Sequence, residues 1–258
     1  MDASEILTEE RALQGATTSH IDAQKFRDFL ERQGLDVDEA PQPPGASDLR
    51  NRGVLVETGG ALLATLYGVL AFGKEPQRYP QTRNFRIECV AYAGKERASD
   101  VLQVADATGC VDDQVQRALG WFASLGHTET YHDVIREDRP LLPRRAIREA
   151  LVNAVAHRDY AVTGSKVLLE SFSNRIVVTS PGPLPNHMRV ESARAGANPR
   201  SRNELLANFM LVSGFMDNRG RGWPLMRAEM RRFNGTEPLL EQDPHWVRVT
   251  FAVNGHSR

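Results

Sequence analysis

Residues 144–160 read RRAIREALVNAVAHRDY, and this stretch decides how the rest of the chain is read. On a helix, Ile147, Leu151 and Val155 recur at i, i+4 and i+8 and form an apolar stripe. Glu149 and Asn153 lie four apart on a neighbouring stripe, with His157 one turn further on. The spacing predicts a helix anchored on one side that presents a carboxylate and a carboxamide together on another. An Asn side chain offers a carbonyl oxygen that a hard cation accepts, and a Glu one turn earlier can take a proton from a water. The alternative is that both are solvated polar residues beside a buried stripe, as most such pairs are.

Around this helix the text is mostly regular. Val167–Phe172 and Arg175–Thr179 are apolar runs separated by Ser173-Asn174, a hairpin signal. Ser180-Pro181-Gly182-Pro183-Leu184 follows the second run and reads by itself as a strand-ending turn. Asn203–Val212 and Trp223–Phe233 have helical pattern, and WVRVTFAV at 246–253 has strand composition. Glycines at 220 and 222 precede the helix at 223. Backbone N–H groups at such a helix start attract anions, and Arg219 and Arg221 add charge suited to phosphate oxygens.

Upstream, residues 1–20 are polar and expected to be poorly ordered. Ile21–Gln33 reads as a short helix. The acidic, Pro-rich stretch 36–48 reads as a linker or loop. Thr58–Phe72 suits one buried helix ended by Gly73 and Pro76. Phe85–Tyr92 has strand character, and Val101–Leu125 reads as helical with a break near Thr108-Gly109.

The 258-residue chain carries a formal net charge of −1. It therefore has no bulk attraction to nucleic acid. Cys89 and Cys110 lack metal-site spacing and read as buried free thiols. The start of the chain is acidic and has no apolar core of a signal peptide. The longest apolar run, GGALLATLYGVLAFG, is too short to span a bilayer. The expectation is a cytoplasmic protein without membrane association.

The Glu-x-x-x-Asn spacing at 149–153 resembles the N-box of the GHKL, or Bergerat-fold, ATPases. EALVNAVAHRDY (149–160) is similar to one branch, labelled transcriptional regulators or RecG-related helicases, with a Schlafen/Alba-type domain ahead of a divergent histidine-kinase-like ATPase domain. SKVLLESFSNRIVVTSPGPLP (165–185) resembles that branch's hairpin and first glycine box. ANPRSRNELLANFMLVSGFMDNRGRGWPLM (197–226) resembles its lid and second glycine box. LYGVLAFGKEPQRYPQTRNFRIECVAYAG (66–94) resembles the segment joining the two domains. Two departures stand out: Ser180 occupies the place of the Asp that accepts from the adenine amino group, and Pro183 replaces a glycine.

The resemblance implies an α/β fold, a Bergerat-type sandwich with a mixed sheet and helices on one face, preceded by a smaller α+β region. It divides the chain into an N-terminal helix and linker (1–50), a connecting α+β region (51–138) and the ATPase domain (139–258). The Schlafen/Alba-type domain is expected to be missing or incomplete. ATP and Mg²⁺ are the implied cofactors. Glu149 would position or activate water and Asn153 would hold Mg²⁺. Ser180 and Gly182 would border the base, and Asp159 would reach the base or the lid. Arg200, Arg219, Gly220, Arg221 and Gly222 would surround the phosphates. His157 at the helix end reads as a structural cation. No GxxxxGK[ST] occurs, so a helicase motor is not expected. The function expected is an ATP-binding regulatory protein, at most a slow ATPase. The alternatives are a degenerate scaffold for homodimerisation and a DNA-binding factor, the latter needing another domain or partner to read DNA.

Overall fold

The computed structural model describes residues 7–35, 44–125, 127–132, 135–185, 188–195, 201–216 and 221–253, with backbone only over 127–139. The centre is a six-stranded mixed sheet in the order β4-β3-β7-β8-β10-β9. Its strands are β3 (Ile87–Tyr92), β4 (Val101–Ala107), β7 (Val167–Ser171), β8 (Arg175–Pro181), β9 (Leu239–Gln242) and β10 (Trp246–Ala252). The β3–β7 pair is parallel and the other pairs are antiparallel. Burial alternates along β3, with Ile87, Cys89 and Ala91 inside, the period expected of a strand buried on one face. Two hairpins stand apart, β1 (Leu55–Thr58) with β2 (Ala61–Ala64), and β5 (His127–His132) with β6 (Ile135–Pro140).

Helices α4 (Val111–Ser124) and α5 (Arg144–Ala156) pack on one face of the sheet, and α8 (Gly222–Asn234) lies beside α5. The remaining helices are α1 (Ala23–Arg32), α2 (Ala46–Asn51), α3 (Leu66–Phe72), α6 (Val190–Arg194) and α7 (Glu204–Val212). Together these layers form the α/β sandwich expected from the sequence. On α5, Ile147, Leu151 and Val155 are all buried, so the stripe read from the sequence is the face that meets the core. The core continues through Phe26, Phe29, Tyr67, Phe72 and Phe209, whose rings lie 5.2–5.7 Å apart and join α1 and α3 to α7. No helix among the described residues is long and apolar enough to cross a membrane.

Four local expectations are corrected. The run 58–72 is not one helix: Gly59 and Gly60, both at positive φ, turn β1 back into β2, and α3 starts only at Leu66. A Gly-Gly pair between two short runs is a hairpin signal that outweighs helical periodicity. Val101–Ala107 is a strand, because its backbone pairs with β3. Residues 7–20 are ordered against the body: Leu13 N–H bonds Ala64 O at 2.8 Å and Ala64 N–H bonds Ala16 O at 2.8 Å. The stretch 36–48 contains the start of α2, while 36–43 lie outside the described residues. Strands β3 and β4 pair into the same sheet as β7.

Both cysteines are buried and unpaired. Burial pushes each thiol up to about 12, so neither is a reactive thiolate near neutrality.

Candidate functional site

The C-terminal end of α5 is held by side chains from three other places in the chain. A helix leaves its last carbonyls without intrahelical partners. Ser180 on β8 donates its hydroxyl to Ala154 O at 2.7 Å. Tyr160 donates to Val155 O at 2.9 Å. The Asn203 amide donates to Ala156 O at 3.0 Å and to Arg158 O at 2.8 Å. These bonds fix how far α5 extends and how it is rotated over the sheet, and therefore where its polar stripe points.

Arg158 follows directly and is 1% exposed. Its guanidinium donates to Asp159 O at 2.7 Å, to Val162 O at 2.9 Å and to Ser165 O. It also lies over the rings of Phe85 and Tyr160, 4.5 and 5.2 Å from their centroids. Burial pulls its pKa down to about 10, still charged at neutral pH. The loop 158–165 is wrapped around this cation.

Glu149, Asn153 and His157 line one cavity of about 330 Å³ between α5, the end of β8, and α8. Ser180 and Gly182 line it from the β8 side, and Gly222 from the start of α8. A Cβ at Gly222 would stand 3.1 Å from Glu149 Oε2 and 3.3 Å from Asn153 Nδ2. The start of α8 therefore comes close against the polar stripe of α5, with Gly222 beside Glu149 and Asn153. Gly182 is at φ +89, and a Cβ there would collide with that of Asp159. Both conformation and contact require glycine.

Apart from Ser201, the rest of the lining is apolar, and most of it is not singled out by the sequence. Trp223 and Met226 of α8, Val247 and Val249 of β10, Leu240 of β9 and Met216 all contribute. Trp223 and Met226 are three apart on a helix, and Val247 and Val249 two apart on a strand, so periodicity marks each pair as facing inward. That they face a common cavity follows only from the packing.

Asp159 is brought to the turn but does not line the cavity. Its carboxylate pairs with Arg202 Nη1 at 2.8 Å and accepts from Ala161 N–H at 3.0 Å. Arg202 also donates to Pro183 O at 2.6 Å, so this pair braces the 180–184 turn from behind. Arg221 is the N-cap of α8 and is exposed. Arg200, Arg219 and Gly220 lie outside the described residues.

His157 has a structural role different from the expected one. Burial first, and the nearby Arg202 charge second, bring its pKa down to about 4. It is neutral at pH 7 and adds no positive charge to the helix end. Instead its Nδ1 shares a hydrogen bond of 3.2 Å with Ser201 Oγ, another residue of the cavity wall.

The acidic donors divide between two places. The cluster Cys110, Asp112 and Asp113 could hold a metal ion by spacing, but Lys25 Nζ already sits 2.8 Å from both carboxylates. At the cavity, Glu149 and Asn153 supply two oxygen-bearing side chains beside the open backbone of Gly222. That donor set fits a Mg²⁺ that takes one or two protein oxygens and completes its shell with phosphate oxygens and water.

Residues 164–251 match the family model described as "Putative ATP-dependent DNA helicase recG C-terminal". This segment is ATPase-like. It supplies β7–β10, the glycine turn at 182, α7 and α8, whereas Glu149 and Asn153 lie upstream of the match. Helix α5, which carries them, packs against α8 of the matched segment. Among solved structures, the fold is similar to that of the DIP2311 protein from Corynebacterium diphtheriae, with a TM-score of 0.67 at 20% identity. The likeness covers 96% of this chain and 48% of that one, so the chain spans about half the length of that structure. No curated protein matches the sequence.

Proposed function

We propose that the cavity is a GHKL-like nucleotide site and that the protein is an ATP-binding regulatory module, Mg²⁺-dependent and at most slowly hydrolysing. One observation carries the reading: Gly222, at the start of a helix, lies against both Glu149 and Asn153, within a cavity that Gly182 closes at its other side. The ATPase-like character of 164–251 supports it.

In this reading Asn153 holds Mg²⁺ and Glu149 orients a water toward the terminal phosphate. The N-terminus of α8, with Gly222 and Arg221, faces the phosphates. The resemblance assigns Arg200, Arg219 and Gly220, outside the described residues, to the phosphates as well. The base lies among Val178, Met226, Val247 and Val249, bordered by Gly182 and Ser180, with the Asp159–Arg202 pair behind the turn. Bound Mg²⁺ would neutralise phosphate charge, while the chain's own residues position water and exclude bulk solvent through the apolar walls. Contact with duplex DNA in a regulatory setting would be supplied by another domain or partner, since the net charge is −1.

The test is a thermal-midpoint titration with ATP and ADP, with and without Mg²⁺. Binding to the native state raises the midpoint, by about 2.7 kcal/mol of stability at 100 times Kd. Asn153→Ala is expected to fold and to lose the Mg²⁺-dependent part of that gain. Equal gains in wild type and Asn153→Ala remove the metal assignment, and no gain with any nucleotide removes the function.

A further inference from the structure

Glu9 lies in a turn of 3-10 helix, Thr8–Glu10, and is fully buried. Its Oε1 accepts from Leu205 N–H at 2.9 Å and its Oε2 from Leu206 N–H at 3.0 Å. These amides belong to the first turn of α7, where N–H groups have no intrahelical partner and the dipole favours negative charge. Among the described residues no cation pairs with this carboxylate. Burial holds its pKa above the ordinary carboxylate value, and the α7 amides pull the other way. A cap supplied from 196 residues away is a tertiary contact, distinct from the local caps that helices usually carry.

The first turn of α7 is connected to the cavity. One residue earlier, Asn203 donates to the two carbonyls at the end of α5. Ser201 Oγ accepts from Asn203 N–H at 3.1 Å and is within 3.2 Å of His157 Nδ1. Ser201 and Ala207 both line the cavity. On its other side, the segment carrying Glu9 is zipped to the body, with Leu66 N–H bonding Arg11 O at 2.9 Å and Leu13 N–H bonding Ala64 O at 2.8 Å. A continuous set of hydrogen bonds therefore runs from residues 7–16 through Glu9 and α7 to the cavity wall.

We infer that Glu9 is a positioning residue for the nucleotide cavity: by docking residues 7–16 onto α7, it holds the Ser201–Ala207 wall in the geometry that binds ligand. This rests on the nucleotide reading above. Because coupling is reciprocal, ligand in the cavity must also tighten the Glu9 contact.

Glu9→Gln tests this with little change of shape, since the amide group would set N–H donors against one of the two α7 N–H groups. The whole chain is titrated with Mg²⁺-ATP well below both thermal midpoints, and amide hydrogen exchange at Leu205 and Leu206 is followed with and without Mg²⁺-ATP. The expected result is an affinity about tenfold weaker in Glu9→Gln, within the usual range of coupling, and slower exchange at both amides when wild type is loaded. An affinity within twofold of wild type in a variant whose midpoint has fallen would reduce Glu9 to a stabilising cap and overturn the proposal. So would exchange at Leu205 and Leu206 that ignores ligand. Should Glu9→Gln not fold, the exchange comparison on wild type decides by itself. A wild type that binds no nucleotide ends the nucleotide reading instead, a result distinct from wild-type binding without coupling.

Discussion

The two ends of α5 are built differently. At the C-terminal end, side chains of Ser180, Tyr160 and Asn203 reach the carbonyls of Ala154, Val155, Ala156 and Arg158, and the buried Arg158 organises the loop beyond. At the N-terminal end, Pro143 caps without a side-chain bond and Arg144 and Arg145 are exposed. Between them Glu149 and Asn153 are only partly buried and open to the cavity. One end holds position and the middle turns carry chemistry. A polar pair has useful geometry only if its helix cannot slide or rotate, and an apolar stripe alone sets rotation loosely. The capped end removes that freedom.

The strongest way to break the comparison is at Arg158. Arg158→Met keeps apolar volume but leaves the carbonyls of Asp159, Val162 and Ser165 without their donor, a loss of about 3–5 kcal/mol. Denaturant unfolding measures it, and a loss below about 1 kcal/mol would show that the loop does not depend on the cation.

A smaller effect is expected from pH. Folded His157 takes up its proton only near pH 4, against an ordinary value of 6.5. The unfolded chain therefore binds that proton first. The resulting stability is complete above pH 6.5 and is lost as pH falls from 6.5 toward 4. The loss is about 1–3 kcal/mol, discounted because the ring is partly open to the cavity. His157→Gln should flatten this part of the stability–pH curve, and an unchanged curve assigns the dependence to other groups.

Ser180 joins the two regions, since its hydroxyl proton is committed to Ala154 O. What remains is a neutral hydroxyl oxygen, a weaker acceptor for a base amino group than a carboxylate, so ATP should be preferred over GTP by less than about tenfold, roughly 1.4 kcal/mol. Ser180→Asp sets a carboxylate against that carbonyl and should cost about 1–3 kcal/mol of stability, while sharpening the preference for adenine if the turn borders the base. Binding of ATP and GTP to both proteins measures it, and an unchanged ratio would show that residues 180–184 do not border the base.

The smallest stability effect is expected at Gly222. Gly222→Ala gains helix propensity, at most about 1 kcal/mol, yet its methyl crowds Glu149 and Asn153. Stability should hold while nucleotide affinity falls about fivefold, close to 1 kcal/mol. Calorimetric titration that finds affinity unchanged would place the phosphates away from Gly222.

Legibility in the sequence followed the reach of each interaction. Helix α5, the β7–β8 hairpin, α7, α8 and β10 were read near their observed limits because each repeats apolar residues at its own period over several turns or pleats. Strand β4 was missed for the same reason. Val101, Leu102 and Val104 have spacing that suits a helix, and they are 54%, 69% and 60% exposed on an edge strand, so no buried face imposed a two-residue period. The candidate residues on α5 were visible because four-residue spacing is local. The contact of Gly222 with that helix was suggested only by resemblance.

The sequence by itself determined which segments have a buried side and which short-range turns are available, because periodicity and glycine placement act over a few residues. It also determined that a carboxylate and a carboxamide share a helix face. Tertiary structure decided the rest. Ser180 became a helix cap 26 residues from its acceptor, Asn203 a cap 47 residues from its own, and Glu9 a cap 196 residues away. His157 became neutral through burial, although the helix end alone would favour its charge. Caps, burial and cavity walls depend on which distant atoms meet, and a one-dimensional pattern carries that information only where the meeting partners are neighbours in the chain.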